Sequence, residues 1–112
     1  MTNITLTKSG NTVWFRCEGH AGFAKAGEDI VCAGISTLAQ SFAAFISTLD
    51  SEKEIMLKRF IIEDGLIDII FDDFKKNTES AQTMTLLGFQ MIEEQFPTHL
   101  HLEWGEIKKK IG

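Results

Sequence analysis

Residues 30–49 run for twenty positions without a charged side chain, and no other stretch restricts the fold as much. At 1.5 Å per residue such a run makes a helix of about 30 Å, enough to cross either a bilayer or a small domain. Its pattern separates the two. Ser36, Thr37, Gln40, Ser41, Ser47 and Thr48 interrupt it, while Val31, Ile35, Leu38, Phe42, Phe45 and Leu49 recur at 4-3-4-3-4 spacing on one stripe. A membrane helix is apolar all round, so the run reads as the core helix of a globular protein, with no membrane partner. Its other side is small, with Ala33, Ala43 and Ala44 near Thr37 and Gln40, and suits close approach of another helix or a second subunit.

Strand patterns flank this helix on both sides. Residues 2–7 alternate with Ile4 and Leu6 on one face, Ser9-Gly10-Asn11 makes a turn, and residues 12–18 alternate again, giving a first hairpin. Beyond the helix, residues 55–63 and 66–71 surround Asp64-Gly65, a dipeptide suited to a type I′ turn because both positions need positive φ. That turn sets Ile62 opposite Ile67, Phe60 opposite Ile69 and Lys58 opposite Phe71, with Met56 completing the apolar face. The other face puts Arg59 and Ile61 near Asp68. Asn77 or Thr78 caps a second helix with a stripe of Ala81, Met84, Leu87, Gly88, Met91 and Ile92, which stops at Phe96-Pro97. A last strand over residues 98–104 points Leu100, Leu102 and Trp104 inward. The order strand-strand-helix-strand-strand-helix-strand predicts an α+β, two-layer sheet-and-helix domain over residues 1–112.

Eleven basic against sixteen acidic residues give a net charge of −5, which argues against direct nucleic-acid binding and favours a basic protein or peptide as partner. Two cysteines and no N-terminal secretory pattern place the chain in a reducing cytoplasm. Lys108-Lys109-Lys110 reads as a solubilising tail.

The chemistry concentrates in residues 19–36, GHAGFAKAGEDIVCAGIS. Asp29 is the expected N-cap and Ile30 the first helical residue, so Cys32 falls in the first turn, where free N–H dipoles favour a thiolate. Gly19 and Gly27 allow the intervening loop to fold back and bring His20 to Cys32 as a nucleophile–base pair. From spacing alone a second reading stands, in which Cys32 is a small buried hydrophobe and His20 a turn residue. Cys17 alternates in register with Val13 and Phe15 and is expected in the core.

The spelling His20-Ala21, Gly27, Asp29-Ile30-Val31-Cys32-Ala33-Gly34 and Ser36 resembles the signature of the ribosomal-processing cysteine protease (Prp) family, and the order of elements agrees along nearly the whole chain. The resemblance implies a small bacterial endopeptidase, homodimeric and without a cofactor. It implies removal of an N-terminal extension from large-subunit ribosomal protein twenty-seven, with cutting after a phenylalanine that basic residues follow. Cys32 then matches the nucleophile and His20 its base, while Asp29, Gly19 and Ser36 match other signature positions. Residues 22–26 have no family spelling. The implied reaction is acyl transfer, with the backbone N–H groups near Cys32 and Ala33 available to a tetrahedral oxyanion. Asp29 orients His20 or caps the helix, Ser36 supports the site or bonds back to the helix, and residues 21–28 form a lid.

Three other classes fit the residues. Cys17 and Cys32 could form a redox pair; a dimeric, non-catalytic protein-binding module associated with ribosome assembly would use the charge-free helix as a scaffold; and His99 and His101, with Glu103 in series, could serve a metal-assisted hydrolase.

Overall fold

The computed structural model describes residues 1–19 and 26–106. They form β1 (Thr2–Ser9), β2 (Thr12–Glu18), α1 (Ala26–Ser51), β3 (Met56–Glu63), β4 (Leu66–Asp72), α2 (Glu79–Gln95) and β5 (Leu100–Glu106). This is the α+β order that the sequence predicts. The strands make one five-stranded sheet in the order β3-β4-β2-β1-β5. Every neighbouring pair is antiparallel except β1 and β5, which run parallel and bring the last strand beside the first.

Register puts one apolar face on a single side of the sheet. Leu6 faces Phe15, Phe15 faces Ile69, Cys17 faces Ile67, and Ile4 faces Leu102. Both helices lie on that side. Phe15, fully buried, meets Phe42 of α1 edge-on at 5.0 Å between ring centroids and stacks on Phe89 of α2 at 6.1 Å. Such aromatic contacts add to the burial energy of the rings.

Over Ile30–Ser51, α1 is long and apolar enough to cross a membrane, with a mean hydropathy of 1.7. Its Val31, Ile35, Ala39, Phe42, Ala43 and Ile46 are buried in the core. The stripe thus turns slightly from the predicted one: Ala39, Ala43 and Ile46 face inward, while Phe45 is exposed. Ala43 therefore belongs to the sheet-facing side rather than to a small opposite side. The second helix arrives elsewhere, at Gly34 and Leu38. A Cβ on Gly34 would sit 3.4 Å from Ile92, and one on Gly88 only 2.8 Å from Leu38, so the helices approach at their glycines.

The largest departure is in α2. Phe89 is its fully buried residue, flanked by the half-buried Ala81, Leu86, Ile92 and Phe96, whereas Met84, Leu87 and Met91 are exposed. The helix carries apolar residues on two stripes, and the larger aromatic side chain buries more surface. At the start of α2, Thr78 is the N-cap by position but makes no side-chain cap bond. The buried Asp73 instead holds the approach to the helix, accepting the backbone N–H groups of Asn77 and Thr78, each at 3.1 Å, and the Thr78 hydroxyl.

The Asp64-Gly65 turn sets the register as predicted, with Ile62 on Ile67 and Phe60 on Ile69. A bulge at Lys58 then intervenes, so Leu57 instead of Lys58 pairs with Phe71. Met56, opposite Asp72, is exposed, as is Trp104 on β5. On the side of the sheet away from the helices, Asp68 is buried and accepts from Trp14 Nε1 at 2.9 Å, Arg16 at 3.0 Å and Arg59 at 3.1 Å.

Candidate active site

The end of β2 is held in place by backbone geometry. Gly19 has φ +102°, and a Cβ there would come within 2.7 Å of the Met1 carbonyl oxygen, so only glycine fits without strain. Its N–H donates to the Gly65 carbonyl at 2.9 Å, which ties the strand end to the β3–β4 turn. Gly65 has φ +73° but Asp64 does not have a positive φ, so the turn is not the type I′ that the dipeptide predicts, and the glycine alone takes the left-handed position.

Between that turn and α1 lies an open cleft of about 320 Å³. Cys32, Ser36 and Gln40 line it from α1, Cys17 from β2 and Gly19 from just beyond its end, and Ile62, Glu63 and Asp64 from the hairpin opposite. The structure therefore brings together three of the five residues singled out in the sequence: Cys32, Ser36 and Gly19. His20 lies outside the described residues, as do the side chain of Asp29 and residues 21–25 of the expected lid.

α1 begins at Ala26, four residues before the predicted start. Asp29 is thus its fourth residue and not its N-cap, and Cys32 is its seventh. Two expectations change with that shift. The helix-end field falls off within the first turn, so it no longer acts directly on Cys32. The free N–H groups of an α-helix are its first four, which here belong to residues 26–29; those of Cys32 and Ala33 point at carbonyls one turn back. Oxyanion donors at Cys32 and Ala33 are therefore ruled out by helix geometry. The extension of the helix to Ala26 also takes residues 26–28 out of the expected lid.

Ser36 bonds neither to the cysteine nor back to the helix: its Oγ accepts from Gln40 Nε2 at 2.8 Å. Gln40, which the sequence offered only as part of a small helix side, is thus one turn beyond Ser36 on the cleft wall. The i, i+4 spacing of Cys32, Ser36 and Gln40 was visible in the sequence and is what could have found it.

Both cysteines are free thiols. Cys17 is half-buried against the core rather than within it, and burial pushes its thiol pKa up to about 11. At neutral pH Cys17 stays protonated and is a poor nucleophile. His101 lies 3.6 Å from Glu103, both on the exposed side of β5.

Fold and cleft together define a small α+β domain that presents a thiol in an open cavity at one end of its sheet. The chain belongs to the cysteine protease Prp family, whose profile matches residues 1–101. Among the solved structures that resemble it along nearly their whole length are the following two. An essential ribosomal processing protease Prp from S. aureus, in complex with a covalently linked product peptide, is 22% identical over 93% of this chain and 99% of its own, with a TM-score of 0.71. SMU.848 from Streptococcus mutans is 23% identical over 96% of each chain, with a TM-score of 0.63. At these identities the likeness is one of fold. No curated protein matches the sequence.

Proposed function

We propose that the protein is a cysteine endopeptidase that removes an N-terminal extension from large-subunit ribosomal protein twenty-seven during ribosome maturation. The observation that carries this reading is the position of Cys32: a free thiol on the wall of an open cleft, in a chain of the cysteine protease Prp family. The peptide complex of the similar S. aureus structure supports a peptide as substrate.

In this reading the Cys32 sulfur, with its proton taken by His20, attacks a peptide carbonyl to form a tetrahedral intermediate. The C–N bond breaks, and His20 gives the proton to the departing amine. Water then attacks the thioester, releasing the carboxylate product and restoring the thiol. Since Cys32 lies beyond the first helical turn, its activation falls to the base, and Asp29 is assigned to orienting His20. Ser36 and Gly19 shape the cleft, and no cofactor is needed. The net charge of −5 suits a basic ribosomal substrate. A homodimer working in the cytoplasm completes the proposal.

The test is cleavage of a synthetic peptide with a phenylalanine followed by a small residue and lysines, read by mass spectrometry. Wild type should cut after phenylalanine, and Cys32→Ala and His20→Ala should each lose at least 10³-fold in rate. A folded wild type that leaves the peptide intact would move the weight to a non-catalytic binding module.

A further inference from the structure

We propose that the end of the β3–β4 hairpin is the specificity wall of the cleft: Ile62 seats the apolar side chain of the residue whose carbonyl Cys32 attacks, and Glu63 and Asp64 face a cationic side chain beside it. The inference rests on the peptidase reading of the cleft and assigns residues that the reaction itself does not need.

Three observations carry it. Cys32, Ser36 and Gln40 follow one another at four-residue spacing along α1, so their side of the cleft runs for about 12 Å. An extended peptide advances about 3.3 Å per residue, so a bond placed at Cys32 leaves room along this wall for three to four substrate residues. The opposite wall is the hairpin end. There Ile62 is 54% exposed although its cross-strand partner Ile67 is buried. The inner face of edge strand β3 thus extends beyond the cover of α1, and its apolar surface opens into the cavity that holds the thiol.

The charge beside it points to one occupant. Neither Glu63 nor Asp64 has an ion-pair or side-chain hydrogen-bond partner among the described residues, while Lys58, Arg16 and Arg59 are all paired with other acids. Two unmatched carboxylates next to an exposed isoleucine form a surface complementary to an apolar residue neighbouring a lysine or arginine. The wall is also held in position, because the Gly19 N–H bond to Gly65 fixes the hairpin end to the strand that enters the site.

The experiment uses the full chain and peptides that vary at two places: phenylalanine or alanine at the carbonyl-donating residue, and lysine or glutamate following it. Both kcat/KM of the active enzyme and binding to a Cys32→Ala background, by fluorescence anisotropy, are read. Ile62→Ser should lower kcat/KM and affinity for the phenylalanine peptide about tenfold and change the alanine peptide less than twofold, with Ile62→Val close to wild type. Glu63→Gln with Asp64→Asn should reduce the preference for lysine over glutamate several-fold, and added salt should do the same to wild type. A phenylalanine-to-alanine ratio unmoved by Ile62→Ser, a lysine-to-glutamate ratio unmoved by the double amide, or no peptide binding at all would overturn the inference. Wild type that binds with these preferences yet cleaves nothing would instead overturn the peptidase reading and leave the wall standing.

Discussion

At the scale of single residues the two cysteines divide by environment. Cys17 and Cys32 line one cleft, but burial holds the Cys17 thiol at about 11. Iodoacetamide at pH 7.5 should therefore modify Cys32 well before Cys17, giving one adduct by peptide mapping; equal labelling would contradict the assignment. The same shift makes stability depend on pH. The folded-state pKa lies above the ordinary value of 9.0, so the unfolded chain loses this proton first and stability falls as pH rises from about 9 to about 11. Two pKa units correspond to roughly 2–3 kcal/mol. Urea unfolding across that window should fall less steeply for Cys17→Ala than for wild type. Gly19 was legible in the sequence only as part of a motif, since nothing local reveals that a Cβ would strike the Met1 carbonyl. Gly19→Ala should cost about 1–3 kcal/mol in the same measurement; a loss below about 0.5 kcal/mol would show that the strand end can relax.

Elements were legible where a local signal has one meaning. Asp64-Gly65 marks a two-residue loop, and the register that follows from its length holds for Ile62 and Phe60 until the bulge at Lys58, which no side chain announces; the turn type was not legible, since Gly65 takes a positive φ and Asp64 does not. The start of α1 was not legible, because an aspartate is favoured both at an N-cap and within the first turn, where the helix field also stabilises it. Reading Asp29 as the cap moved Cys32 into the first turn and placed the oxyanion donors on the wrong residues. In α2 the ambiguity lay in two apolar stripes, and only the packing of Phe89 on Phe15 chooses between them. The approach to α2 is held locally, by Asp73 five residues upstream of Thr78, and no propensity at Asn77 or Thr78 reveals it. Asp73→Ala leaves the buried Thr78 N–H and hydroxyl without their acceptor, and should destabilise the protein by about 1–3 kcal/mol. Urea unfolding measures it; a Thr78→Ala change in the Asp73→Ala background should then cost little more, since the pair acts as one unit.

For the whole molecule, the decisive fact is that both helices cover one side of the sheet, and among the described residues no helix or strand covers the other. That open side cannot be held by apolar burial, and the Asp68 cluster holds it instead. Trp14 and Arg16 of β2 and Arg59 of β3 converge on the Asp68 carboxylate of β4, joining three adjacent strands across their outer face. The sequence showed Arg59 near Asp68 but neither Trp14 nor Arg16, because the pairing of β2 with β4 joins two hairpins, and Trp14 and Arg16 lie more than fifty positions from Asp68. The cleft depends on the same pairing, since Glu18 opposite Leu66 sets Gly19 beside the hairpin end. Asp68→Ala removes the acceptor from two guanidinium groups and one indole N–H. Both arginines are partly exposed and regain water, so the cost should be about 2–4 kcal/mol, below that of stranding a fully buried charge. Asp68→Asn keeps the shape and one acceptor oxygen and should lose less. Hydrogen exchange separates a local from a global effect: if the cluster binds β3 to the sheet, Asp68→Ala should accelerate exchange at Phe60 and Ile62 more than at Leu6 and Phe15. Uniform acceleration would mean that the cluster stabilises the fold without holding the wall of the cleft.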